Sequence, residues 1–159
     1  VMDADNQQER LDAKWIVGFT DWEGCFHIAI NRVRNKSWQV LPEFRIVQHE
    51  KEEKLLERIR DYFKFGSVTV NRKDRHGVRK EFRVRGSENL NKLVKFFREN
   101  PLKTEKQKNF EIFAEVIESM NKKEHLTKSG LDKIAQLISK MNRQPSLKYL
   151  ESSETIRQT

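Results

Sequence analysis

Residues 15–24 read Trp-Ile-Val-Gly-Phe-Thr-Asp-Trp-Glu-Gly. The stretch is apolar, then small, then acidic, and it closes on a glycine. Trp15, Ile16, Val17 and Phe19 read as the last turns of a buried helix. Gly18 costs such a helix about 1 kcal/mol relative to alanine. A glycine kept there points to close approach by another backbone, such as a second helix. Asp21 and Glu23 fall at the helix C-terminus, where the macrodipole is negative and carboxylates are disfavoured. Two acids at the wrong end, followed by Gly24 as a helix stop, read as a site rather than a cap.

Outward from this stretch the hydrophobic period changes. Phe26, Ile28 and Ile30 alternate with Cys25, His27, Ala29, Asn31 and Val33, a strand with one buried face. After a turn at 35–37, Trp38, Val40, Phe44 and Ile46 alternate with Gln39, Leu41, Glu43, Arg45 and Val47. Pro42 donates no backbone hydrogen bond, so this strand is expected at an edge or with a bulge. Glu50–Phe63 carries a helical stripe of Leu55, Leu56, Ile59, Tyr62 and Phe63, ended by Gly66. A third strand places Val68 and Val70 inward, and Ser67, Thr69, Asn71 and Lys73 outward. Across an Asp74–Gly77 turn, a fourth strand places Phe82 and Val84 inward, and Arg79, Glu81, Arg83 and Arg85 outward. Ser87 is read as the N-cap of a helix ending before Pro101. A basic connector, Pro101–Lys108, leads to a helix through Met120, and Thr127 is read as the cap of a last helix.

Helix, hairpin, helix, hairpin, helix is an α+β order: a four-stranded antiparallel sheet with helices on one face and the other face open. The open face is expected to carry His27, Asn31, Gln39, Glu43, Arg45, Ser67, Thr69, Asn71, Lys73, Arg79, Glu81, Arg83 and Arg85. Arg, Lys, Asn and Gln read base edges, and Arg and Lys hold phosphates. Three arginines on one strand favour nucleic acid over a merely solvated face.

The 159 residues suffice for one domain with a real core. The expected division is a frayed segment at 1–10, a single domain over 11–144, and a polar, mobile tail at 145–159. Lys and Arg number 32 against 24 Asp and Glu, a net charge of +8 that favours a polyanionic partner. The single cysteine, Cys25, excludes a disulfide framework and a cysteine-based zinc site. No apolar run approaches the roughly 20 residues of a membrane span, so no membrane partner is expected. Val1–Arg10 is polar, with no signal-peptide core. An intracellular location is expected, in the cytoplasm of a prokaryote or in an organelle.

Residues 16–24, Ile-Val-Gly-Phe-Thr-Asp-Trp-Glu-Gly, resemble the LAGLIDADG motif of homing endonucleases. The central glycine, both acids and the final glycine match; Trp22 stands where a small residue is usual. The motif occurs once, as in the homodimeric branch. The resemblance implies an αββαββα fold with a curved sheet and extra C-terminal helices. It also implies a homodimer with Ile16, Val17, Gly18, Thr20 and Asp21 at its seam, each chain lending Glu23 to a divalent metal. The metal implied is Mg²⁺, with Mn²⁺ able to substitute, and the Trp22 carbonyl is a candidate second ligand. Gln48 and Lys106 match the family's remaining active-site positions by layout, with Lys103 and Lys108 as alternatives to the latter. Cys25 and His27 would lie nearest the centre, and Asn31 and Val33 further out, of a long, nearly palindromic duplex cut on both strands to leave 3′ overhangs. An RNA-binding splicing maturase of the same fold is the alternative function.

Overall fold

The computed structural model describes residues 10–34 and 37–141, together with Tyr149. The segment at 1–9, the turn residues 35–36 and all of the 145–159 tail except Tyr149 lie outside the described residues. The order is α1 (Ala13–Glu23), β1 (Gly24–Arg32), β2 (Trp38–His49), α2 (Glu53–Phe63), β3 (Ser67–Asp74), β4 (Gly77–Val84), α3 (Ser87–Glu99), α4 (Lys106–Asn121) and α5 (Lys128–Ser139). Short 3₁₀ turns precede α2 and α5. The four strands form one antiparallel sheet in the order β1-β2-β4-β3. The α+β architecture is the one the alternation implies. No helix among the described residues is long and apolar enough to cross a membrane.

Phe26, Ile28, Ile30, Val40, Phe44, Ile46, Phe82 and Val84 are all buried beneath the helices. Phe26 is the hub of that core, with ring centroids 5.0 Å from Phe44, 5.6 Å from Phe97 and 5.2 Å from Phe113. Offset and edge-on ring pairs at such separations add to their burial energy. Tyr149 is buried too and stands edge-on to Trp38 at 5.1 Å.

Four local readings are corrected. β2 is an interior strand, not an edge: it pairs with β1 over Trp38–Ile46 and with β4 only over Phe44–His49. Pro42 faces Ile28 on β1 and lies beyond the end of β4, so its missing donor interrupts no second ladder. Val70 is 54% exposed rather than inward, because β3 is the outer strand of the sheet. A bulge between Val70 and Arg72 then shifts the register, so that Arg72 stands opposite Arg79 and Lys73 opposite Val78. An extra residue in one strand reverses the alternation beyond it. Lys73 therefore leaves the outer face and Arg72 replaces it. Gly86, not Ser87, caps α3, at a φ of 84° that favours glycine. Thr127 caps α5 as read, its side chain accepting from Gly130 N.

Candidate functional site

α1 runs directly into β1, so Glu23 is the last helical residue and Gly24 the first of the strand. Gly24 does not adopt the left-handed conformation of a helix stop; its φ is −73°. It is required for space. A Cβ there would lie 2.5 Å from Thr20 Cγ2 and 3.2 Å from Phe44 Cε2. The close passage lets Glu23 emerge beside the end of β2. There the Gln48 amide donates to Glu23 Oε2 at 3.0 Å. Two residues 25 positions apart, both assigned from the sequence to the active site, are thus in direct contact.

Asp21 has a different task. It is 9% exposed, and its carboxylate accepts from Lys103 N at 2.9 Å, Thr104 N at 3.2 Å and the Thr104 hydroxyl at 2.8 Å. The disfavoured helix-end position is offset by donors from another segment rather than by its own dipole. Asp21 ties the connector to α1. Thr104 Oγ1 in turn accepts from Lys106 N at 3.3 Å, where α4 begins. The Lys106 backbone is thereby linked through Thr104 to Asp21, a tie that no local pattern signals. Lys103 is held closer still, by its own backbone.

The seam residues need correction. Ile16 and Val17 are 1% and 7% exposed, and Thr20 is fully buried, all within this one chain. With Asp21 occupied as described, only Gly18 of the five faces outward. α1 carries a second apolar stripe instead. Trp15, Gly18, Phe19 and Trp22 follow the i, i+3, i+4, i+7 spacing of one helix face. Trp15 is 37% and Trp22 82% exposed. Trp15 and Phe19 stack at 4.8 Å. A Cβ at Gly18 would meet nothing within 4 Å, so this glycine leaves room for something outside the chain.

On the opposite side of the sheet, the register sets out the outer face in rows. Cys25, Arg45, Arg83 and Ser67 form one row across all four strands, and Val47, Glu81 and Thr69 the next. His27 stands opposite Glu43, and Asn31 opposite Gln39. Asn31, Gln39, Ser67, Thr69, Asn71, Arg79 and Arg85 are exposed as expected. Glu43 and Glu81 are not: they are 8% and 3% exposed beneath the arginine stems. As direct contacts for a partner they are withdrawn.

Profile comparison matches the description "LAGLIDADG endonuclease" to residues 16–117, more than half of the chain. The chain belongs to the LAGLIDADG endonuclease family. It is 32% identical over 128 residues to the Neurospora crassa "Probable intron-encoded endonuclease 3", covering 79% of this chain. Among solved structures, the homing endonuclease I-TnaI superposes with a TM-score of 0.82 at 39% identity, over 94% of this chain and 98% of that one. I-SmaMI, solved on an uncleaved DNA target in the presence of calcium ions, superposes with a TM-score of 0.81 at 31% identity. That match covers 91% of this chain and 49% of the other. The chain spans 24–32% of the length of the curated relatives it matches.

In this LAGLIDADG chain His27 is held partly out of solvent. Burial lowers its pKa from 6.5, Arg45 lowers it further and Glu43 opposes them. The unfolded chain therefore binds the proton more readily. Stability is expected to fall as pH drops from 6.5 through the lower folded value, then to level off. Urea titrations of wild type and His27→Gln across that range check this; identical pH slopes would remove His27 as the cause.

Proposed function

We propose that this chain is a site-specific DNA endonuclease that works as two copies joined along the outer stripe of α1. The Glu23–Gln48 contact, at the end of that exposed stripe, carries the reading. Two-fold packing along one helix face would bring two such corners together. The near-full coverage of I-TnaI supports a unit of this size, and the DNA-bound relatives support duplex DNA over RNA.

Glu23 is exposed and offers hard oxygen donors. No group of three or more His, Cys, Asp or Glu side chains among the described residues could hold an ion. The donor set nevertheless fits Mg²⁺, which keeps water and takes one or two carboxylates plus phosphate oxygens. A bound Mg²⁺ would polarise the phosphodiester and lower the pKa of its water. Within the protein, Gln48 fixes the carboxylate's orientation. Lys106, or Lys103 beside it, balances charge developing on the phosphate. The arginines and amides of the outer sheet face hold the duplex.

Incubation of the protein with duplexes selected from a random library, with and without Mg²⁺ or Mn²⁺, tests the activity. Metal-dependent cuts at one position with 3′ overhangs are expected; binding without any cutting in either metal would overturn it. Gly18→Leu tests the seam, since a side chain there would fill the space left for a partner helix. Sedimentation is expected to show a dimer weakened by at least about tenfold, equivalent to about 1.4 kcal/mol. An undiminished dimer would place the interface elsewhere.

A further inference from the structure

The buried carboxylates of the outer sheet face are unused by the reading above. Arg45 and Arg83 are directly opposite one another on β2 and β4. Two guanidinium groups so placed repel, and like charges across strands are destabilising. Each, however, has a carboxylate beside it on its own strand. Glu43 Oε1 lies 3.5 Å from Arg45 Nε, and Glu81 Oε1 lies 3.3 Å from the Arg83 guanidinium. The glutamate side chains are only 10% and 4% exposed. Each is anchored a second time: Arg85 Nε donates to Glu43 at 2.7 Å, and Asn71 Nδ2 donates to Glu81 at 2.9 Å. A buried carboxylate fixed by two partners is a rigid post. Both arginine side chains are held low, at 30% and 29% exposure, rather than waving in solvent.

Resting on the DNA-binding reading, we infer that Glu43 and Glu81 are positioning residues, which hold Arg45 and Arg83 as a preformed pair that reads guanine in the major groove. The Arg45 contact runs through Nε and leaves its terminal nitrogens to meet guanine O6 and N7 end-on, whereas the Arg83 contact runs through Nη1 and leaves Nε and Nη2 to meet them side-on. Bidentate contact of this kind is the commonest specific arginine–base contact. Fixing the fork beforehand removes the ordering cost on binding and raises the penalty for a wrong base. The glutamates themselves, already accepting two partners each, do not reach the bases.

The test is selection from a randomised duplex library by wild type and by Glu43→Gln, Glu81→Gln, Arg45→Gln and Arg83→Gln, with thermal unfolding as a folding control. Wild-type sites are expected to contain guanine at the positions the arginine variants relax. Each glutamate variant is expected to lose about 5- to 100-fold of discrimination at the same base pair as its arginine. Change at a different base pair, or none, overturns the positioning role. If a glutamate variant does not fold, the arginine variants decide alone: sites without guanine at the relaxed positions sink the inference. No enrichment by wild type would fell the DNA-binding reading itself, an outcome distinct from enrichment that the variants leave unaltered.

Discussion

Glu23→Gln is expected to lower strand cleavage by about 10³-fold, equivalent to about 4 kcal/mol of transition-state stabilisation, while duplex affinity stays within a few-fold of wild type. Glutamine preserves the volume of the side chain and keeps an oxygen for the Gln48 amide, so the corner is not dismantled. It lacks the negative charge that holds a hard cation. The side chain is exposed, so its replacement opens no cavity. Single-turnover cleavage and equilibrium binding on one duplex make the check. Loss of both together would mean that Glu23 supports the structure instead of the reaction.

Asp21→Ala should act in the opposite way, on the fold first. The change strips partners from two backbone N–H groups and one hydroxyl at a partly buried junction. Hydrogen bonds to a charged acceptor are worth more than neutral ones, and buried donors left unpaired cost more again. A loss of about 2–4 kcal/mol is expected, about 5–15 °C in Tm for a chain of this size. Cleavage should fall as well, because the connector that leads to Lys106 is released from α1, whereas self-association should be unchanged. Calorimetry and sedimentation separate the two accounts. Unaltered stability with a lost dimer would return Asp21 to the seam where its place in the motif first put it.

That contrast shows where sequence reading stopped. The motif identified Glu23 and Asp21 as a pair of acids at one helix end, and their spacing is silent about which one is tied down. Asp21 finds its donors 82 and 83 positions away. The seam failed for a related reason. α1 is apolar on two faces, and periodicity ranks both alike. Only the folded chain reveals that Ile16 and Val17 are spent on the core, leaving Trp15, Gly18, Phe19 and Trp22 outward. On the open face, alternation placed Glu43 and Glu81 correctly by side but not by depth. Their burial comes from arginine side chains two positions along the same strand, and from the cross-strand partners Arg85 and Asn71.

What the sequence determined alone was the order of elements, the core-facing side of β1, β2 and β4, and the family, with Glu23 and Gln48 as its candidates for the site. These follow from local period and from a short motif, both written in consecutive residues. Only the tertiary structure decided that Gln48 touches Glu23, that Asp21 ties down the connector, and that a bulge at β3 exchanges Lys73 for Arg72. Each of those depends on contacts between segments distant along the chain, whose pairing no local pattern encodes.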